Sequence, residues 1–223
     1  MGESTHTVLR RMQTMLERLY DASVDLDVED YLLTDRESVA AWSGRSCSEP
    51  RDEQLLLAES EDGLRLGLYV DGAVLDRLAD ADPHHALNED NLADFCTALE
   101  GVSHFLYVTF CALRARCVSL LELELQAEVD KYATALVLLT EQSSGRFPAG
   151  LHDRMFHRVS FLPGLGAEEL RRYRNANRWA ARFCRSLEER FLRVRRQRPE
   201  AWVGELRRFY RAAHTDKIRH ASG

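Results

Sequence analysis

Apolar residues near the start of the chain recur every three or four positions: Val8, Leu9, Met12, Met15, Leu16 and Leu19 share one face. That spacing predicts a helix over 5–20. An acidic connector, DASVDLDVED, follows at 21–30. Thr34-Asp35-Arg36-Glu37 has the form of a capping box, in which the Thr hydroxyl and the Glu carboxylate satisfy the free donors of a helix start. A short helix through Trp42 is therefore expected, and residues 43–53 read as loop. Two apolar runs, 54–60 and 64–70, flank Glu61-Asp62-Gly63, where Gly supplies the positive φ of a tight turn. They predict a β-hairpin at 54–70. Asp71 fits as the cap of a helix over 72–82 that stops before Pro83.

From Asn88, a plausible cap, the pattern becomes strongly helical: Leu92, Phe95, Leu99, Val102, Leu106, Phe110 and Leu113 form a stripe. Ser119-Leu120-Leu121-Glu122 is a second capping box, which places a break at 114–118 and a second helix up to Gln142. So short a connection favours antiparallel neighbours, a helical hairpin at 88–142. Past the SSGRFPAG loop, a helix over 151–159, a FLPGLG turn and a long helix over 167–196 are expected. Pro199 suits the first turn of a last helix reaching Ala213. The fold class that results is mainly α: a single helical domain, 1–223, built around the long antiparallel pair, with one small β-hairpin in its N-terminal third and basic C-terminal helices at 167–214.

Composition agrees with a folded helical protein: 45% hydrophobic and 30% charged residues, with only 12 Gly and 5 Pro in 223 residues. No stretch has the roughly 18 uninterrupted apolar residues of a membrane span, and the polar start lacks the apolar run of a secretory signal. A cytoplasmic location without a membrane partner is the expectation. The five cysteines, Cys47, Cys96, Cys111, Cys117 and Cys184, are odd in number and contain no C-x-x-C pair, which argues against a disulfide framework and a structural zinc site. The net charge of −6 hides an asymmetry. Residues 1–150 carry 12 Lys and Arg against 28 Asp and Glu, a balance of −16, while residues 151–223 carry 18 against 8, a balance of +10. Only Lys131 and Lys217 are lysines, a scarcity that reads as the base composition of the gene.

Candidate chemistry lies in the most apolar region. At about 100° per residue, Leu121, Leu125, Tyr132, Ala135 and Leu139 cluster on one side of the second hairpin helix, with Glu128 inside that cluster and Glu124 at its edge. On the preceding helix Glu100 and His104 border the apolar face. Folding the pair about residue 116 brings these two within roughly a turn of Glu128 and Lys131. Buried carboxylates are costly unless paired, hydrogen-bonded or metal-bound. One reading is an ion-pair network in which Glu128 meets Lys131, His104 or an arginine of the C-terminal helix, fixing helix register. Partial exposure of the glutamates is a second. The third is a metal or catalytic site of Glu100, His104, Glu124 and Glu128, with iron or manganese as its ion. Glu100-x-x-x-His104 occurs once, without the second Glu/His copy of a ferritin-like bundle, and no H-E-x-x-H, Walker loop, G-x-G-x-x-G or G-x-S-x-G is present.

His84 and His85 read as an exposed loop pair, His152 and His157 as residues off a shared helical face, and His214 and His220 as part of a frayed end. Arg171, Arg174, Arg178, Arg182, Arg185 and Arg196 lie roughly opposite the apolar face of the long basic helix. Such a face can be solvated, dock on acidic surface of this chain or a partner, or bind nucleic-acid phosphates; the acidic half of the chain disfavours the last. The leading functional expectation is an interaction or regulatory protein whose charged helical faces meet a protein partner or a second copy. The alternatives are a metal-dependent enzyme or small-ligand-binding protein using the Glu/His cluster, and nucleic-acid binding through the C-terminal arginines.

Overall fold

The computed structural model describes residues 7–43, 51–60, 63–159, 161, 164–192 and 200–222. Among them the chain forms nine α-helices and one three-stranded sheet, the mainly α architecture that the pattern predicts. Helix α1 (Val8–Tyr20) is capped by Thr7 and ends at Asp21 in the left-handed region. The acidic connector then forms a 3-10 turn, Val28–Tyr31, and a two-residue strand β1 (Leu32–Leu33). Helix α2 is Arg36–Ser43. Its cap is Asp35 rather than Thr34: the Asp35 carboxylate accepts from the Ser38 backbone N–H at 2.8 Å, because a carboxylate one residue closer reaches the free donor directly.

Strands β2 (Glu53–Ser60) and β3 (Gly63–Val70) pair antiparallel from Glu53 opposite Val70 to Ser60 opposite Gly63. The turn residues 61–62 and the loop 44–50 lie outside the described residues. Two differences from expectation matter. The hairpin gains β1 as a parallel partner of β3, through Leu32 opposite Leu68, a pairing too short to show as a sequence pattern. Strand β2 also begins one residue earlier than expected, which makes Glu53 part of the sheet.

Asp71 caps α3 (Gly72–Asp80) as expected. Helix α4 is Leu92–Ala112, preceded by an Asn88–Asn91 turn held by side-chain hydrogen bonds, so the helix starts later than Asn88. Residues 113–118 break the helices, with Ala115 left-handed, and Ser119 caps α5 (Leu120–Gln142). Polar partners run in opposite order along α4 and α5: Glu100 with Lys131, Ser103 with Asp130, Tyr107 with Glu122. Helix α6 is Leu151–Phe156. Helix α7 (Ala167–Leu187) passes into a π-helical turn, Glu188–Leu192, and the remainder of the predicted 167–196 helix, with Arg196 and Pro199, lies outside the described residues. Helix α8 (Glu200–Arg211) is followed by α9 (His214–Ser222), where the sequence reads as a frayed end. Lys217 of α9 is fully buried, and that anchors the segment.

One large core runs through α1, β3, α3–α8 and the connector. Helix α4 is buried on all sides from Gly101 to Cys111, and α5 is buried at nearly every position from Glu122 to Leu136. Helix α4 is long and apolar enough to cross a membrane, but 78% of its most apolar window is buried inside the fold. Helix α5 has no solvent face because α4 and α7 flank it and α1 also touches it. The sheet leans on α4 at Gly101, where an added Cβ would lie 2.8 Å from both the Glu53 Cγ and the Leu68 Cδ1. Glycine here lets a strand end approach the helix closely.

Candidate functional site

Four elements bring the charged cluster together. Glu100 and His104 are one turn apart on α4, Glu124, Glu128 and Lys131 lie on α5, Glu53 opens β2, and Arg172 and Glu169 come from the first turns of α7. Lys131 Nζ donates to Glu100 Oε2 at 2.8 Å and to Glu128 Oε1 at 2.7 Å. His104 Nδ1 is 3.4 Å from Glu53 Oε1, and its Nε2 is 3.7 Å from Glu124 Oε2. Arg172 Nε lies 3.7 Å from the other Glu124 oxygen, its Nη2 reaches Glu169 at 3.5 Å, and Arg51 also donates to Glu169. The result is two runs of alternating charge, Glu128–Lys131–Glu100 and Glu53–His104–Glu124–Arg172–Glu169–Arg51.

Proton affinities follow from that alternation. Burial alone would lower the His104 pKa, but the hydrogen bond and charge of Glu53, with Glu124 and Glu100 behind, raise it to about 9. Burial would likewise lower Lys131, yet Glu100 and Glu128 hold it well above its ordinary value. Glu100 would be raised by burial and is instead held low, chiefly by Lys131. Glu53 and Glu124 go the other way. Burial raises Glu53 against the opposing pull of His104, and raises Glu124 to about 7. Each has His104 at more than 3.3 Å, too distant a cation to offset the lost hydration.

Beside this cluster is an open cavity of about 280 Å³ whose walls include Glu53, Glu100, Glu128, Lys131, Phe161 and Tyr173. A second cavity of about 460 Å³ shares Cys96, Glu128, Lys131 and Val159 with it. Cys96 is held protonated by burial, its pKa pushed up to about 12, and is no nucleophile. Of the four sequence candidates for a metal site, Glu100 and His104 converge with Glu53, one donor atom of each lying within 4.8 Å of the others. Glu124 faces the opposite nitrogen of His104, and Glu128 is engaged by Lys131. To ligate a metal, His104 would have to give up a proton that three carboxylates favour. A second set of donors, His152, Asp153 and His157, is also close. Helix α6 stops at Phe156, and the turn that follows brings the His157 ring to 5.6 Å from that of His152, contrary to the helical spacing argument. Both His152 nitrogens are engaged, Nε2 with the Ala181 carbonyl at 2.8 Å and Nδ1 with Arg185 at 3.0 Å.

A different buried network was invisible to the stripe argument. Asp130 accepts from Ser103 Oγ and Gln126 Nε2, each at 2.6 Å, and from the Tyr20 hydroxyl. Gln126 in turn accepts from Lys217, whose Nζ lies 4.1 Å from the Tyr107 ring centroid. Tyr107 donates to Glu122 at 2.7 Å, and Arg116 reaches both. Glu122 and Asp130, 2% and 1% exposed, are therefore buried more deeply than Glu124 or Glu128. Burial dominates here: Asp130 is raised to about 6 and Lys217 lowered to about 7. The chain's two lysines are thus both buried. Lys131 meets its two carboxylates as a compact point charge, where a guanidinium would present a flat fork.

The remaining polar candidates divide. His84 is half-buried on Asp82, not exposed, while His85 is open to solvent. Arg171, Arg174, Arg178 and Arg182 are exposed, whereas Arg172 and Arg185 turn inward to carboxylates. No protein-family model, curated protein or solved structure matches the chain.

Proposed function

We propose that the chain is a small-ligand-binding protein whose site is the cavity between α4, α5 and residues Val159, Phe161 and Leu165. One observation carries this reading: the largely buried side chains of Glu53, Glu100, Glu128 and Lys131 converge on an open cavity that also has aromatic and apolar walls. Its 280 Å³, extended by the adjoining 460 Å³ space, gives room for a small molecule, and half of its lining residues are charged, so a polar or charged ligand suits it. The ion-pair runs hold those polar groups in place without a ligand, so the site is preformed. The donor chemistry favours ligand binding over metal-dependent catalysis, because Lys131 already neutralises Glu100 and Glu128.

Thr97 lines the cavity from α4 without joining either ion-pair run. Ligand-observed NMR with a fragment library should give hits on the native chain that Thr97→Trp abolishes, while the far-ultraviolet spectrum stays unchanged. Hits that persist in that variant would place binding elsewhere and defeat the reading. A second role, as an interaction protein, is favoured by the exposed Arg171, Arg174, Arg178 and Arg182, for which no carboxylate partner is found among the described residues. An acidic protein surface is the partner that suits them.

A further inference from the structure

We infer that the ligand of this cavity is an organic ammonium bound at Glu53; the inference rests on the ligand-binding reading above. Four carboxylates, Asp52, Glu53, Glu100 and Glu128, face the cavity against two cations, Arg51 and Lys131. Both cations are already committed, Lys131 to Glu100 and Glu128, Arg51 to Glu169. Asp52 and Glu53 remain; Asp52 is exposed, and Glu53, its side chain 12% exposed, is the sheltered one. Its one hydrogen-bond partner among the described residues is His104, through Oε1 at 3.4 Å. Gly101 allows the Glu53 side chain to lie directly over α4, since a Cβ there would meet its Cγ at 2.8 Å.

The opposite walls select among cations. Phe161 and Tyr173, with Val159 and Leu165, add aromatic and aliphatic surface to the lining. Carboxylates beside aromatic faces suit an alkylammonium, whose charge meets the acid and the ring while its carbons meet the apolar wall. A hard metal ion gains nothing from that wall.

A second observation shows that the cluster is not internally closed. His104 is nine-tenths buried, and its Nε2 has no hydrogen-bond partner; it points at Glu124 across 3.7 Å. Arg172 Nε is unpartnered at the same distance on the far side of Glu124. An ammonium that takes Glu53 competes with His104 for that carboxylate. His104 then shifts toward Glu124 and its orphaned nitrogen gains an acceptor. Occupation of the cavity is thereby transmitted to α7 through Glu124 and Arg172.

The test uses the full chain at pH 7 with four probes of similar size: n-butylammonium, putrescine, butyrate and 1-pentanol. Calorimetry or saturation-transfer NMR should show both ammonium probes binding at least about tenfold more tightly than the other two. Glu53→Gln should remove that preference, and the His104 ring resonances should move on titration of putrescine into the native protein. Equal or tighter binding of butyrate, an ammonium affinity unchanged in Glu53→Gln, or His104 resonances that stay fixed would each overturn the inference. Binding of manganese(II) in place of the ammonium probes would overturn it in favour of a metal site. Neutral or anionic fragments blocked by Thr97→Trp would refute the ammonium alone and leave the cavity reading standing. A library without any hit would refute the cavity reading itself.

Discussion

Helix α5 carries Glu122, Gln126 and Asp130 along one stripe and Glu124, Glu128 and Lys131 along another, about 170° away on a helical wheel. Both stripes are deeply placed and each meets a lysine, Lys217 of α9 on the first and Lys131 on the second, yet the proton affinities of the two lysines shift in opposite directions. On the first, burial wins: Asp130 rises to about 6 and Lys217 falls to about 7, so each moves toward its neutral form. On the second, opposite charges stand at hydrogen-bond distance on both sides of Lys131, and it keeps its charge. The number of counter-charges within about 3 Å, more than depth, decides which form a buried group takes. The sealed network is built from hydroxyls, an amide and rings, and belongs to the framework. The alternating one lies beside open space, where a charged group remains available to a ligand.

The comparison predicts its largest effect in the sealed network. Asp130→Ala strands the Tyr20 hydroxyl, Ser103, Gln126 and the Lys217 ammonium, and urea unfolding should show a loss of about 4 kcal/mol. A loss below about 1 kcal/mol would mean that this network is not closed in solution.

The two networks should also differ in the sign of their pH dependence. Lys217 has a folded pKa below its unfolded value, so the unfolded chain binds more protons between about pH 7 and 10.5. The stability difference between native and Lys217→Met should therefore shift in favour of native as pH rises through that window. His104 has a folded pKa raised from 6.5 to about 9. Its contribution, up to about 3 kcal/mol, is complete below pH 6.5 and is lost as pH rises through 9. The difference between native and His104→Gln should shrink from pH 6 to pH 10. Parallel slopes for the two variants would erase the distinction drawn between the networks.

Smaller effects separate the sheet contact from the outer surface. Gly101→Ala forces Glu53 and Leu68 away from α4, with an expected cost of about 1–3 kcal/mol by thermal unfolding and a weaker response of His104 to ligand. Arg178→Glu combined with Arg182→Glu touches neither network, and its effect on stability should stay within about 0.5 kcal/mol per site. If the arginine face binds an acidic partner, cross-linking or size-exclusion analysis should detect loss of that complex in the same variant.

Much of this layout is legible in the sequence, and the gaps have identifiable causes. Period and caps are local, so α1, the β2–β3 hairpin, α3 and the break before α5 emerge from Val8–Leu19, Gly63, Asp71 and Ser119. The site is legible in half. Glu100, His104, Glu124 and Glu128 stand out as polar groups near apolar stripes, and the structure lines the cavity with Glu100 and Glu128, while His104 lies with Glu53 and Glu100. Glu53 does not stand out, because its partner lies 51 positions away on another element. The signal that points to it is Gly101, a lone glycine inside an apolar helix next to Glu100. Stripe reasoning on α5 also presumes a wet face. Once α4 and α7 enclose the helix, Glu122, Gln126 and Asp130 are as buried as its leucines, and periodicity no longer sorts them. The two lysines among 30 basic residues are the remaining clue, and it lies in which cation is used rather than where.

At Asp130 the chain meets itself across great sequence distance: Tyr20 is 110 positions away, and Lys217 reaches the same group through Gln126. Contacts of that span carry a large loop-closure cost and form after local helices. The α4–α5 hairpin is thus expected to assemble early, with α1 and α9 closing over its polar stripe in the slow step. Until they do, Asp130 stays hydrated and Lys217 keeps its ordinary proton affinity, so the refolding rate itself should depend on pH near neutrality.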